Sequence, residues 1–402
     1  MNILLVRTTG FPPDLRIEKE AESLLEAGHD VYLLCSGSRN ETSRDVWREM
    51  RIYRILDHNY FSTKLFNILS YILRLDIRFL FKVRKLIKHH DIDIVCVYNT
   101  PIFPSTWLAT WKLKTPIILV MLEYYPALLN SLRKGFLSRI KNPSFVCRFV
   151  DKLSTKYADY VIVMADELKE RILKNGIRSQ KIEIISNYYQ RGKEIHIDPR
   201  LLKKYENRFV LSYIGLVNAS HRGVDVPILA MPHIIKNIPE ALLLIVGSGR
   251  ALPEMRELAC ELKLQDYVEF TDWVPFQLVP TYISASNVGL IPYRIDDHTD
   301  TTLPHKLFQY MALGKPIVAS RARAIARIIS ETKCGYVVPP EDPATLSKTV
   351  ISLYKNKAGA TEMGRNGARW VAEKYNWESE FLRLNKIYLS FRRNSDEYSK
   401  HG

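Results

Sequence analysis

Residues Asp300 to Ser320, DTTLPHKLFQYMALGKPIVAS, are the stretch best suited to hold a ligand. Pro304 fits the first turn of a helix, where its missing N–H costs nothing, and Thr301 or Thr302 can cap that turn. Leu307, Phe308, Met311 and Ala312 recur at helical spacing. Gly314 is placed to end the helix in a left-handed cap, and Pro316 blocks its continuation. Ile317, Val318 and Ala319 then read as a buried strand. A helix start with open amides is an anion site, where a phosphate gains roughly 0.3–2 kcal/mol from dipole and amides; an ordinary loop–helix–strand unit is the alternative. Asp91-Ile92-Asp93 spells D-x-D but leads into an apolar strand, so it reads as a cap, and no metal is invoked. No P-loop, no G-x-G-x-x-G and no Ser/His/Asp acyl-transfer arrangement is visible. Arg74, Arg78, Lys82 and Lys85 are spaced 4, 4 and 3 and share one helical face. Such a basic amphipathic helix can lie in a membrane interface, or be a core helix with a snorkelling edge.

The elements that must position these residues alternate. Ile3 to Val6 is a strand, Gly10 closes a turn, Asp14-Leu15-Arg16 opens a helix ended by Gly28, and Val31 to Cys35 is the next strand. This is the start of a doubly wound sheet. Ile92 to Tyr98 and Pro116 to Met121 are near-continuous apolar strands, buried on both faces. The pattern restarts at Phe209 to Ile214, and Ala241 to Val246 runs into Gly247-Ser248-Gly249. Ligands in such sheets bind outside the carboxyl ends of the strands. The expected organisation is a first α/β domain over 1–190, a linker over 191–207, a second α/β domain over 208–375, a helix over 376–392 packing back on the first domain, and a tail over 393–402.

At 402 residues the chain exceeds one ordinary core. Its net charge of +15 is uneven: between Tyr60 and Lys156 stand 16 Lys and Arg against 5 Asp and Glu. A basic first domain points to an anionic partner such as membrane lipid or a phosphorylated substrate. Nucleic acid is disfavoured, because no helix-turn-helix, finger or single-strand-binding signature appears. The five cysteines show no zinc spacing, and three lie in apolar runs, as expected in a reducing compartment. With no signal-peptide pattern at MNILLVRTTG and no run of 18 apolar residues, a cytoplasmic chain is expected, peripheral on the inner membrane face if the basic helix binds lipid.

Several pieces, in order, resemble the retaining GT-B glycosyltransferases of family 4, group 1. Tyr213-Ile214-Gly215 with His221-Arg222-Gly223-Val224 is similar to that family's glycine loop and basic-Gly pair. Leu244 to Gly249 is similar to its G-x-G strand end, and Val268 to Val274 to the segment that lines the base. Leu303 to Pro316 resembles its signature helix, and Glu123-Tyr124-Tyr125-Pro126 its acidic loop. Asp14-Leu15-Arg16 and Ala27 to Val31 resemble its opening helix and strand. The resemblance implies two Rossmann-like domains facing a cleft.

The roles the resemblance implies are these. Arg222 grips the diphosphate, aided by Lys306 and by the amides of Thr302 and Leu303. Val274 meets the base through its backbone, Gln309 binds the ribose, and Gly10, Gly215 and Gly247 shape the donor loops. The family's paired glutamates fall on Thr301 and Gln309, its usual arginine after the glycine is Leu216, and its usual histidine is Leu122. Asp300, Asp296 or Asp297 is then the nearest carboxylate in the loop, and Glu123 the acid of the first domain. The implied activity is metal-independent transfer of a sugar from a nucleoside diphosphate sugar to a lipid-linked or glycan acceptor, with retention and no further cofactor. A catalytically silent binding protein of the same fold and a sugar-nucleotide epimerase are the alternatives.

Overall fold

A computed structural model describes residues 1–56, 75–131, 144–174, 176–190, 197–218 and 220–392. The chain divides into two compact units, Met1–Ser186 with Glu380–Gly402, and Asn187–Ser379.

The first unit is built on an eight-stranded sheet in the order β3-β4-β2-β1-β5-β6-β7-β8. Its strands are β1 (Asn2–Val6), β2 (Asp30–Gly37), β3 (Arg44–Trp47), β4 (Met50–Leu56), β5 (Ile94–Tyr98), β6 (Ile117–Met121), β7 (Tyr160–Val163) and β8 (Ile182–Ile184). Only β3 runs antiparallel to its neighbour. Every residue of β5 and β6 is buried, as central parallel strands require. Among the described residues its helices are α1 (Leu15–Glu26), α2 (Ile77–His89), α3 (Phe103–Trp111), α4 (Tyr125–Ser131), α5 (Ser144–Tyr157) and α6 (Asp166–Leu173). Asp14 caps α1, its carboxylate accepting from the amides of Arg16 and Ile17 at 2.9 Å.

The second unit has a six-stranded, all-parallel sheet in the order β11-β10-β9-β12-β13-β14. The strands are β9 (Phe209–Ile214), β10 (Ala241–Val246), β11 (Val268–Phe270), β12 (Val288–Ile291), β13 (Ile317–Ser320) and β14 (Gly335–Val338). Its helices are α7 (Pro199–Tyr205), α8 (Asp225–Asn237), α9 (Leu252–Glu261), α10 (Val279–Ser284), α11 (His305–Ala312), α12 (Arg323–Thr332), α13 (Pro343–Lys355) and α14 (Lys357–Glu373). Leu243, Ile245, Ile228 and Ile234 are fully buried between sheet and helices, each contributing about 1.5–3 kcal/mol of transfer free energy.

The last helix, α15 (Trp377–Ser390), belongs to the first unit from Glu380 onward. A buried polar network holds it there. The Tyr388 hydroxyl donates to Glu20 at 2.9 Å, and the Arg16 guanidinium donates to the same carboxylate at 3.1 Å. The Ser186 amide donates to Glu380 at 2.7 Å. Breaking one partner of such a buried charge pair costs about 3–5 kcal/mol.

Four features differ from the sequence expectation. The stretch read as a linker contains α7, which Asp198 caps and Tyr205 anchors at 3% exposure; seven residues span under two turns, too few for a period to be read. Four cysteines rather than three are buried, and only Cys260 is exposed. The helix carrying the basic stripe begins at Ile77, with Asp76 as its cap, and Arg74 lies outside the described residues. On α2, Arg78 pairs with Asp76 at 2.7 Å and Lys82 lies over the Tyr53 ring at 5.3 Å, while Lys85 is exposed. The stripe is therefore no continuous row of solvent-facing cations, because its middle member packs inward. No helix among the described residues is long and apolar enough to cross a membrane.

Candidate active site

The carboxyl ends of β9, β10 and β12 form the site of the second unit. Gly215 and Gly247 follow β9 and β10 at φ of +129° and +134°, which only glycine adopts without strain. The two backbones approach so closely that a Cβ on Gly247 would collide with the Gly215 carbonyl. A Cβ on Gly215 would stand 3.2 Å from the Lys306 amine.

Lys306 is the second residue of α11, and its first turn aims the side chain under the Gly215 loop. It is 8% exposed, and among the described residues its Nζ has no hydrogen-bond partner. The amine lies 3.6 Å from the centroid of the Tyr213 ring and 5.6 Å from that of Tyr293. Burial, then the nearby Arg222, pushes its pKa well below the ordinary lysine value. Arg222 donates to the Tyr293 hydroxyl at 2.5 Å, and its guanidinium carbon is 5.1 Å from that ring's centroid. The turn that carries Arg222 is fixed by Gly223, at φ +61°, where a Cβ would strike the Pro292 carbonyl. Arg294 seals the same turn, its amide donating to the His221 carbonyl at 2.9 Å.

His221 and His298 stack edge-to-face beside this cluster, with ring centroids 5.3 Å apart. His221 is buried, and among the described residues neither ring nitrogen has a partner. Burial lowers both pKa values to about 4, with Arg222 the next cause for His221 and His221 the next cause for His298. Both rings are neutral at pH 7. The cluster is thus a buried amine and a guanidinium between aromatic walls, with two neutral imidazoles behind. Its chemistry is that of an anion receptor: an entering phosphate would raise the lowered pKa of Lys306 and satisfy its unused N–H groups.

Of the residues singled out by sequence, Gly215, Gly247, Arg222 and Lys306 come together. Val274, half-buried, follows the bridge in which the Gly247 amide donates to the Asp272 carbonyl at 3.1 Å. Gln309 stands one turn beyond Lys306 on α11 and is 6% exposed. Three expectations are corrected. Pro304 occupies the cap position of α11, and the helix starts at His305 with no side-chain cap. Neither threonine caps it, because the hydroxyls turn back on their own loop: Thr301 donates to the Asp297 carbonyl at 3.0 Å and Thr302 to that of His298 at 2.7 Å. The Thr302 amide also points backward, to Thr299 at 3.4 Å, whereas that of Leu303 makes no such bond. Asp300 accepts from the Arg323 amide at 3.0 Å, so it serves the start of α12 rather than the cation cluster.

Gly10 and Glu123 belong to the first unit. Gly10 has no left-handed backbone, and a Cβ there would meet only the Ser36 carbonyl at 3.7 Å, so this turn does not require glycine. Glu123 lies half-buried in the loop after β6. Sequence reasoning gave no role to His221, His298, Tyr213 or Tyr293. The signal available was their adjacency to Arg222, Gly215 and the Pro292-Tyr293-Arg294 turn.

The description "Glycosyltransferase Family 4" matches residues 16–189, and "Glycosyl transferases group 1" matches residues 208–356. The chain belongs to the family 4, group 1 glycosyltransferases. An uncharacterised glycosyltransferase of Methanocaldococcus jannaschii is 27% identical over 251 residues, 61% of this chain and 62% of that protein. A GDP-mannose-dependent alpha-(1-6)-phosphatidylinositol monomannoside mannosyltransferase of Mycolicibacterium smegmatis is 28% identical over 174 residues, 43% of this chain and 45% of that enzyme. The chain thus spans between about half and two thirds of the length of these relatives. Anabaena HepE, solved in complex with UDP-glucose, superposes with a TM-score of 0.75 over 97% of this chain and 100% of its own, at 13% identity. This glycosyltransferase-family chain therefore has the GT-B class of fold, with two Rossmann-like α/β units.

Proposed function

We propose that the chain transfers a sugar from a nucleoside diphosphate sugar to an acceptor, with retention at the anomeric carbon. The observation that carries this reading is the buried, unpartnered Lys306 amine beside Gly215, with Arg222 next to it. As the bond from the anomeric carbon to the diphosphate breaks, negative charge gathers on the leaving phosphate oxygens. A protonated Lys306 and the Arg222 guanidinium meet that charge in a site with little water, where fixed cations are worth most. The two cations do the work a metal would otherwise do, so the transfer is metal-independent. UDP-glucose in HepE and the GDP-mannose dependence of the mycobacterial relative support a nucleotide-sugar donor. The phosphatidylinositol mannoside named for that relative, together with the basic first unit, supports an acceptor carried on a lipid at an anionic membrane.

Thr301 and Gln309 favour a second reading, a protein that binds the nucleotide sugar without turnover, since neither supplies a carboxylate. Release of nucleoside diphosphate in the presence of acceptor separates the two, and Arg222→Ala tests the role of that residue. Under the transferase reading it lowers turnover with the fold intact, and undiminished transfer removes Arg222 from the mechanism.

A further inference from the structure

The second unit holds a further cavity at the other end of its sheet from Lys306 and Arg222. It lies at the amino ends of β9, β12 and β13, has a volume of about 670 Å³, and is walled by Arg208, Glu240, Lys315, Tyr354, Lys357 and Arg365. Small-molecule sites typically span about 300–1,000 Å³. The sequence explains why the space stays open. The residues that α14 turns towards it include the short Ala360, Thr361 and Ala368, which cannot reach across to the sheet. Nor can α14 shift to close it, because its backbone already rests on the end of α11. A Cβ on Gly364 would strike the Gly314 carbonyl, and one on Gly367 would stand 3.2 Å from the Met311 Cα.

The walls carry more positive charge than they neutralise. Lys315 follows the left-handed Gly314 at the end of α11 and is half-buried. Its amine donates to the Ser284 carbonyl at 2.7 Å, and burial lowers its pKa. Lys357 and Arg365 stand about two turns apart on α14, both exposed. Among the described residues none of these three forms an ion pair. Arg208 is held by the carbonyls of Glu240, Ala241 and Asp266, each at 3.0 Å, and keeps its charge at the wall. Of the two carboxylates, Glu206 is exposed and Glu240 is taken by the Tyr354 hydroxyl at 2.6 Å. Four cations thus face two acids, a balance that calls for an anion. A dianionic phosphate answers it better than a carboxylate, and a guanidinium can grip two of its oxygens. The rings of Phe209 and Tyr354, edge-to-face at 5.0 Å, offer an aromatic wall to a ligand's carbon body.

We propose that this cavity is a second ligand site, which takes a phosphorylated small molecule of about the size of a nucleoside monophosphate. Lys315, Lys357 and Arg365 hold the phosphate, and the ring of the ligand lies against Tyr354. The site stands apart from the transferase reading, because it shares no residue with the cluster around Lys306 and Arg222. The test titrates the full chain calorimetrically with AMP, adenosine and inorganic phosphate. Lys306→Met serves as the background, so that the diphosphate receptor at the other end of the sheet is disabled. AMP should bind this background, and adenosine at least tenfold more weakly for want of the phosphate. Inorganic phosphate should also bind more weakly than AMP, for want of the ring. Adding Arg365→Glu or Lys315→Met should weaken AMP at least tenfold. Arg365 is exposed, so its reversal leaves the fold intact, as thermal unfolding checks; that variant decides the matter if Lys315→Met, which also loses the Ser284 contact, unfolds. No binding at millimolar AMP, equal binding of AMP and adenosine, or AMP binding indifferent to Arg365→Glu would each overturn the proposal. AMP binding seen in the wild type and lost in Lys306→Met alone would also overturn it, by giving the ligand to the cluster around Lys306.

Discussion

Replacing Lys306 by Met separates the cost of the buried amine from its use. The substitution keeps an unbranched side chain of similar volume in the space between Tyr213 and Tyr293. In the unliganded protein the amine has no hydrogen-bond partner, and a buried polar group left unsatisfied costs about 1–3 kcal/mol. Contact with the aromatic faces returns about 0.5–2 kcal/mol, and only to the extent that the amine is charged, which its lowered pKa opposes. The net effect of Lys306→Met is then a gain of about 1 kcal/mol, or roughly 2–4 °C in the melting temperature of a unit this size. Nucleoside diphosphate binding should move the other way. Losing a charge-assisted hydrogen bond of about 1.5–3 kcal/mol weakens binding roughly 10- to 150-fold. Thermal unfolding without ligand, and calorimetric titration with UDP and GDP, read the two effects separately. A lower melting temperature with unchanged affinity would refute the reasoning and make Lys306 a packing residue.

Other predictions follow from the same geometry. Burial and Arg222 hold the Lys306 pKa down in the free protein, and a bound diphosphate raises it again, so binding takes up protons between the two values. Affinity should be highest below the free-state pKa and fall as pH rises towards the bound-state one; calorimetry in buffers of differing ionisation enthalpy detects that uptake. His221 and His298 have folded-state pKa values of about 4, below the ordinary 6.5. The unfolded chain therefore binds more protons between those values, and stability should fall with pH from about 6.5 to 4 by up to ~1.4 kcal/mol per unit for each ring. Urea unfolding across that window checks the slope, and His221→Gln should flatten it. Gly247→Ala places a side chain against the Gly215 carbonyl at a left-handed φ, so a loss of at least ~2 kcal/mol and of nucleotide binding is expected by the same titrations. Asp300→Ala should cost about 0.5–2 kcal/mol through the start of α12 while leaving turnover of the folded protein within a few-fold; abolished turnover in a stable variant would restore Asp300 to the chemistry.

The parts legible in the sequence were those with a local cause. Apolar runs such as Ile117 to Met121 read as buried strands because both faces are covered. Gly314 marked a helix end that needs positive φ. Lys306 and Arg222 entered only through family resemblance, and their value rests on partners distant in sequence: Tyr213 and Tyr293 form the walls, and Gly223 locks the turn against Pro292. The threonine caps were misread because the chain makes a 3-10 turn over Thr299–Thr301 before α11, which turns both hydroxyls onto carbonyls behind them. Periodicity cannot see such a turn. The basic stripe on α2 showed spacing correctly, but spacing does not reveal that Lys82 packs on Tyr53 of β4.

The most direct test of sugar transfer is a panel of nucleoside diphosphate sugars incubated with the purified chain, with and without a membrane-lipid extract, scored for released nucleoside diphosphate and for labelled sugar in the lipid phase. The account predicts one donor that is consumed only when extract is present and whose sugar appears in the lipid phase, with both signals lost in Arg222→Ala. Tight binding of a donor with no release under either condition would contradict it and make the chain a sugar-nucleotide-binding protein.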